Sequence, residues 1–464
     1  MIHQYKRNGY NIVLDVNSGS VHNVDEVAYE IIALYETHDR EEIIRIILER
    51  FGDRPDVTEV EIREVFDDLE TLRERNQLFT EDPYAPLAVE FKKRQSVVKA
   101  ICLHIAHDCN LTCRYCFAEE GEYHGKRSLM SYETGKQALD FLLANSGTRR
   151  NLEVDFFGGE PLLNFEVVKQ LVAYGRSQEE TSHKQFRFTL TTNGVLLNDD
   201  VIEFCNREMS NVVLSLDGRK EINDRMRRNR GGQGSYDRIL PRFQKLAQSR
   251  GQKDYYMRGT YTRYNKDFAQ DVLHMADLGF KELSIEPVVA DPKEDYALRE
   301  EDLPELLAQY DDLAEEMIRR EREGKGFHFY HYTLDLTGGP CVVKRISGCG
   351  VGMEYLAVTP EGDLYPCHQF VGDEAYLLGN VWDGIVKEEA REEFRTCHIY
   401  SHPECGECFA RMYCSGGCAA NAYHTTGSVH GVYGFGCELH RRRIENALMI
   451  QIARMQALDK PPAE

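Results

Sequence analysis

The chain has 464 residues, with 56 Lys and Arg against 77 Asp and Glu, a formal net charge of −21. At roughly 150 residues per domain this length implies about three domains, and 42% hydrophobic with 29% charged residues marks a globular chain. A mean hydropathy of −0.50 and the lack of any apolar run near the ~18 residues of a bilayer span argue against a membrane protein. The acidic balance opposes nucleic-acid binding, which draws on clustered Lys and Arg. The opening MIHQYKRNGY carries no apolar export signal, so a cytoplasmic location is expected.

Residues 1–82 read as a small α+β unit. Two β-rich runs, 10–16 and 20–24, flank Asn17-Ser18-Gly19, a hairpin signal. Three helical patterns follow at i, i+3/i+4 spacing: Val27, Ile31, Ile32 and Leu34; Ile43, Ile46, Ile47 and Phe51; Val60, Val65, Phe66, Leu69 and Leu72. Asp25 and Thr58 are the predicted N-caps of the first and third. Residues 83–96, with Pro83, Pro86 and the charged run 90–94, read as a linker.

From 97 to 323 strand, loop and helix alternate. Predicted strands are 97–107, 152–157, 186–192, 212–216, 256–261 and 282–287, with amphipathic stretches such as 131–145, 165–175 and 268–278 between them. Such alternation means βαβ units and a parallel sheet, and about six units fit a partial (β/α) barrel better than a complete eight-fold one. Chemistry in these sheets sits at the C-terminal strand ends, which here carry the polar and glycine-rich tetrads HDCN, GGEP, TTNG and SLDG. A second linker is expected at 324–340. From 341 to 440 helices are sparse and Cys and Gly dense, so metal centres are expected to fix the fold. Residues 441–464 return to a basic helical pattern.

Fourteen cysteines are too few for a secreted disulfide scaffold of this length, and they cluster: three at Cys109, Cys113 and Cys116, nine between Cys341 and Cys437. Cys109-x3-Cys113-x2-Cys116 follows directly on the first barrel strand. Zinc sites show paired CxxC and four ligands, whereas three close thiolates suit a four-iron cluster. Three ligands on four irons leave one iron open to a small molecule, the mark of a catalytic site.

CNLTCRYCF, with Tyr115 before the third cysteine, resembles the cluster loop of radical S-adenosylmethionine (SAM) enzymes, and the resemblance extends over almost the whole chain. It implies that SAM chelates the open iron, that an electron from the cluster cleaves the sulfonium, and that the resulting 5′-deoxyadenosyl radical abstracts a hydrogen atom. By the same resemblance Gly158, Gly159, Glu160 and Pro161 contact the SAM ammonium. Ser215, Thr192, Asn193 and Asp217 stand near the ribose, with Ser215 the preferred contact. The backbone at Phe117 meets adenine, and Arg227 pairs with the SAM carboxylate, with Arg225 and Arg228 as neighbouring alternatives.

The C-terminal spacing, Cys349-x12-Gly362-x4-Cys367, then Cys405-x2-Cys408-x5-Cys414-x3-Cys418-x18-Cys437, resembles the seven-cysteine SPASM pattern of peptide-modifying radical SAM enzymes. It implies two auxiliary [4Fe–4S] clusters, three in the chain altogether. Cys405, Cys408, Cys414 and Cys437 are the expected ligands of the outer one, and Cys349, Cys367 and Cys418 of the inner one. Cys341 is either the fourth inner ligand or a bystander, and an open inner iron would suit a substrate thiolate. Cys102 and Cys205 are expected to be packed in the interior, and Cys397 matches no motif. His328, His331 and His368 are expected at the surface or as satisfied core groups rather than lining a cavity.

The hairpin and three helices at the N-terminus resemble the PqqD-like recognition element, in which a leader peptide adds as a strand to the sheet edge. Together the three units resemble the SCIFF maturases. That resemblance implies a partial (β/α)6 radical SAM barrel between an N-terminal peptide-recognition domain and a C-terminal SPASM domain. It implies a Cys-to-Thr thioether cross-link installed in a ribosomally made precursor peptide with a leader, and an electron donor such as ferredoxin or flavodoxin. Other modifications of the same class, sulfatase maturation or C–C cross-linking, and a non-catalytic iron–sulfur or peptide-binding protein, are the alternatives.

Overall fold

The computed structural model describes residues 1–86, 97–336 and 341–458; the charged run 90–94, positions 337–340 of the expected second linker and 459–464 lie outside them. The N-terminal unit is an antiparallel sheet of β1 (Ile2–Arg7), β2 (Tyr10–Asp15) and β3 (Val21–Val24) in that order, followed by α1 (Glu26–Leu34), α2 (Arg40–Phe51) and α3 (Glu59–Glu74). Asp25 and Thr58 cap α1 and α3 as expected, Thr58 within a reciprocal capping box with Glu61, and Asp39 caps α2. Ile31, Ile43, Ile47, Ile62, Phe66 and Leu69 bury the three helices against Val13 of the central strand. Val60, expected on the apolar face of α3, is 67% exposed, and Ile62 fills the core instead. The expected hairpin carries an additional strand, β1, whose polar text IHQYKR pairs with β2 in register Tyr5 to Ile12.

The barrel strands are β4 (Ala100–His107), β6 (Asn151–Gly158), β7 (Gln185–Thr192), β8 (Asn211–Ser215), β9 (Asp254–Tyr261) and β10 (Glu282–Pro287), all parallel, with the short β5 (Ser128–Leu129) set antiparallel on the end of β4. Every predicted barrel strand is present. In β6 to β9 burial alternates with period two, while β4 is buried at every position: Leu152, Val154, Phe156, Phe186, Phe188 and Leu190 are buried in one layer with the helix residues Leu139, Leu171 and Ile202. The opposite face of the same strands carries Asp155, Thr189, Ser215 and Arg258, half-buried or exposed. The strands thus enclose a polar lumen with an apolar outside layer, unlike a closed barrel whose interior is filled by branched side chains.

Three boundaries differ from the expectation. The second linker contains β11 (His328–Phe329), which pairs parallel with β10 as a seventh strand; two residues are too short to leave a pattern in sequence. The cysteine-rich segment is not a separate lobe. Its β12 (Tyr355–Val358) pairs parallel with β4, and β13 (Asp363–Tyr365), β14 (Gly379–Asn380) and β15 (Gly384–Ile385) continue the same sheet antiparallel. The C-terminal helix runs Gly434–Leu458 and so starts before residue 441 and includes Cys437. No helix among the described residues is long and apolar enough to cross a membrane.

Side chains join the N-terminal unit to the rest. The His3 ring stacks on Phe409 at 3.5 Å, and Arg7 and His3 both reach Glu445 of the C-terminal helix at 3.1 Å. Arg411, 7% exposed, donates to Asn17 Oδ1 at 2.6 Å and to Asp82 Oδ2 at 3.1 Å. Removing one partner of a buried pair strands the others, at ~3–5 kcal/mol. Arg411→Met is therefore expected to lower unfolding stability by about 3 kcal/mol in urea titration; a loss below about 0.5 kcal/mol would mean the docking does not depend on this contact.

Candidate active site

The first cysteine loop begins where β4 ends. Asp108 Oδ1 accepts from the Cys109 amide at 2.8 Å, and Arg230 donates to Asp108 and, at 2.7 Å, to the Cys109 carbonyl. The amides of Thr112 and Arg114 donate to the carbonyls of Arg228 (2.7 Å) and Met226 (3.0 Å), so the arginine segment is clamped along the cysteine loop by backbone pairing. Among the three candidate arginines, Arg227 is buried while Arg225 and Arg228 are exposed. Arg227 Nη1 donates to the Tyr115 hydroxyl at 2.8 Å and lies 3.9 Å from Asp217 Oδ1; its Nε is buried without a partner. Tyr115 in turn donates to both Asp217 oxygens at 2.9 and 2.7 Å, and Asp217 also accepts the Thr260 amide at 3.0 Å. Asp217 therefore holds Tyr115, and through it Arg227.

Glu160 ends the β6 tetrad, fully buried. It accepts from the Thr192 hydroxyl at 2.8 Å, the Asn193 amide at 2.8 Å and the Leu162 amide at 3.1 Å, with Pro161 opening the turn it caps. Burial pushes its carboxyl up to about 7, against the pull of these donors. The Asn193 side chain donates to Asn110 Oδ1 at 2.8 Å and approaches Cys109 Sγ at 3.5 Å. Gly158 and Gly159 let the strand end lie on the cysteine loop: a Cβ on Gly158 (φ +120°) would meet the Ala106 carbonyl oxygen at 2.4 Å, and one on Gly159 the Asp108 carbonyl oxygen at 2.2 Å. Ser215 ends β8, half-buried, and the Phe117 ring is 48% exposed, 5.5 Å from the ring of His368.

Burial pushes Cys109 up to about 12 and Cys113 up to about 11, with the neighbouring thiols adding repulsion and Arg227 opposing it at Cys113. Cys405, Cys414 and Cys437, raised first by burial, are raised further by one another or by Cys408, and these four share one cavity wall with Cys418. Cys367 is raised by burial and then by Cys418 and Cys349. Yet among the described residues no three His, Cys, Asp or Glu groups converge as a single ion requires. Near neighbours that do not share one point fit a multi-iron cluster, where each thiolate binds its own corner. Thiols held this high need a metal to become thiolates, so loading releases protons.

Cys102 and Cys205 are buried as expected. His331 is a satisfied core group beside Glu286 and Arg443, and His328 bonds Glu282 at 2.6 Å. His368 instead lies between the rings of Phe117 and Phe157. Sequence reasoning missed Tyr123, His104 and His107. Tyr123 is buried, stacks on His107 and packs in one cluster with Cys102, Cys367 and the half-buried Cys116. His104 Nδ1 meets His107 Nε2 at 3.0 Å, while its Nε2 has no partner. Two histidines three apart inside an apolar strand were the available signal.

Three family models match this chain: the radical SAM superfamily over residues 103–262, coenzyme PQQ synthesis protein D (PqqD) over 11–73, and the SPASM iron–sulfur cluster-binding domain over 349–409. A cysteine-type anaerobic sulfatase-maturating enzyme of Clostridium perfringens is 26% identical over 336 residues, 67% of this chain and 85% of that one. The structure of anSMEcpe with bound AdoMet and the Kp18Cys peptide superposes with a TM-score of 0.63 at 21% identity, covering 77% of this chain and 99% of that one. Streptococcus suis SuiB bound to the precursor peptide SuiA gives 0.51 at 17% identity, covering 93% and 97%. The fold is thus a radical SAM fold with an N-terminal PqqD-like domain and a C-terminal SPASM domain, and these segments imply SAM and [4Fe–4S] clusters as cofactors.

Gly159→Ala is expected to cost about 1–3 kcal/mol in unfolding, because its Cβ overlaps backbone that cannot yield; an unchanged melting temperature would show the strand end free to shift. Glu160 gives a pH signature. Folding raises its pKa from 4.5 to about 7, so the folded chain keeps a proton that the unfolded chain has released, and stability falls as pH rises between those values. Glu160→Gln cannot ionise. Whatever its own fixed cost, its stability gap to the parent protein should narrow by roughly 2–3 kcal/mol from about pH 5 to about pH 8 in metal-free protein; a gap constant with pH would contradict this assignment.

Proposed function

We propose that the chain is a radical SAM/SPASM enzyme that installs a Cys-to-Thr type thioether cross-link in a ribosomally synthesised, cysteine-rich precursor peptide of the SCIFF class. The observation that carries this reading is the packing of Cys116, of the first cysteine loop, and Cys367, of the C-terminal set, in one cluster with the buried Tyr123. The domains are assigned as 1–82 for leader recognition, 97–323 for the barrel and 341–440 for SPASM, with β11 and β12 joined to the barrel sheet.

A [4Fe–4S] cluster on Cys109, Cys113 and Cys116 with bound SAM supplies the hydrogen-abstracting 5′-deoxyadenosyl radical. Arg227 offers an unpartnered buried Nε, suited to the SAM carboxylate, and Asp217 with Tyr115 keeps that guanidinium in place. Glu160 supplies negative charge suited to the ammonium, Ser215 a hydroxyl for ribose, and Thr192 and Asn193 hold Glu160. The glycines of GGEP and the backbone at Phe117 leave room for the nucleoside. Cys349, Cys367 and Cys418 hold the inner auxiliary cluster and Cys405, Cys408, Cys414 and Cys437 the outer one. The leader peptide adds to β3, which among the described residues pairs with β2 on one side only. A ferredoxin or flavodoxin is the assigned electron donor.

Sulfatase maturation is the alternative, favoured by the name of the C. perfringens relative. The two separate by product. Anaerobic turnover with a leader-bearing cysteine-rich peptide is expected to give deoxyadenosine and a product lighter by two hydrogens with one thiol resistant to alkylation. A fully alkylatable product of that mass would mean a C–C cross-link. Loss of the cysteine sulfur would mean sulfatase-type oxidation, and no deoxyadenosine would end the enzymatic reading.

A further inference from the structure

We infer that Cys397 is the fourth cysteine ligand of the inner auxiliary cluster, beside Cys349, Cys367 and Cys418. This rests on the proposal that those three hold a four-iron cluster, which leaves one iron corner without a ligand.

Packing brings Cys397 to Cys349. It is the C-cap of the helix Glu388–Thr396, and that helix is fastened to the loop following Cys349. Arg391, buried, donates to the carbonyls of Gly352 at 3.0 Å and Met353 at 3.1 Å. Gly352 lies so close under Phe394 that a Cβ there would meet its ring at 2.9 Å. On the far side the Ile399 amide donates to the Ile346 carbonyl at 3.2 Å, just ahead of Cys349. The chain around Cys397 is therefore tied to both flanks of Cys349. The two cysteines line one cavity with Gly416 and Gly417, and Cys418, next along the chain, lines the adjoining cavity.

Cys341, the candidate that sequence spacing offers, is exposed and lines a different cavity with Val16, Asn17 and Gly19 of the N-terminal hairpin. Cys397 also has a proton acceptor. The Cys397 S–H donates to the Val429 carbonyl at 3.3 Å; beside it His402 Nδ1 donates to the His430 carbonyl at 3.1 Å, which leaves Nε2 as an acceptor 3.6 Å from Cys397 Sγ. On ligation the S–H bond breaks, its proton passes to His402 and then to solvent, and the S–Fe bond forms with no change of oxidation state. A substrate thiol would then have to displace Cys397 rather than enter a vacant corner.

The test uses the full chain carrying Cys109→Ala, Cys113→Ala and Cys116→Ala, so that only the auxiliary clusters remain, reconstituted anaerobically. About eight irons are expected, with no hyperfine coupling from added 13C-cyanide in the reduced clusters. Adding Cys397→Ala should create that coupling, and adding Cys341→Ala should not. Cys397→Ser, which offers an oxygen, should keep about eight irons and shift the inner cluster's g-values. Cyanide coupling before any change at 397, coupling created by Cys341→Ala instead, or unchanged g-values in Cys397→Ser would overturn the assignment while leaving the cluster in place. About four irons in the starting protein would instead remove the inner cluster itself, and the ligand assignment with it.

Discussion

Glu160 is a carboxylate out of reach of solvent, and the strand ends are organised around it. Taking such a group from water costs several kcal/mol unless donors replace the lost hydration. Here the donors are the Thr192 hydroxyl and the Asn193 amide from the end of β7, and the Leu162 amide from the turn after β6. The two loops cannot part without stranding both the carboxylate and its donors. Asn193, fixed in this way, has its side chain against Asn110 and Cys109. One buried acid thus transmits the barrel's strand order to the position of the first thiol.

The other flank of the cysteine loop is held differently. Thr112 and Arg114 use their amides, and the acceptors are carbonyls of Met226 and Arg228. Backbone pairing constrains the path of both segments but not the side chains at the paired positions. Arg227 lies between those two carbonyls, and it alone of the neighbouring arginines is turned inward, onto Tyr115 and Asp217. The clamp therefore leaves the side chains to their surroundings: Met226 is buried with Val288 and Tyr296, Arg228 is exposed, and Arg227 faces Tyr115 and Asp217. Burying a guanidinium with Nε unpaired is costly in a binding site that stays empty, a cost a carboxylate ligand would offset.

The parts of this arrangement visible in sequence are those encoded locally. The barrel strands show because their outward residues repeat every second position, and the cysteine groups because ligand spacing is a property of the chain itself. Asp25 and Thr58 show because a cap acts within three residues. What stayed hidden depends on partners far along the chain. β1 reads as polar because one face meets the C-terminal helix, and His3 and Arg7 are satisfied by Glu445, over 430 residues away. β11 has two residues and exists through pairing with β10. Cys397 has no spacing signature, because a helix docked through Arg391 and Phe394 brings it to Cys349. The extension of the barrel sheet by β12 to β15 was hidden for the same reason.

That extension governs how the two chemical ends of the molecule relate. β12 pairs with β4 in the register Val358 to Leu103, and β13 runs back antiparallel to Tyr365, two residues before Cys367. Cys109 follows β4 by two residues. The first thiol group therefore follows β4 and Cys367 follows β13, on one hydrogen-bonded sheet with β12 between the two strands. The N-terminal unit shares no strand with that sheet and is joined by side chains, chiefly Arg411, Arg7 and His3. Sites carried on rigid elements keep their geometry to fractions of an ångström, whereas side-chain docking tolerates small rotations. Geometry is thus fixed most tightly along the sheet that carries the cysteine loops and least where the N-terminal unit docks.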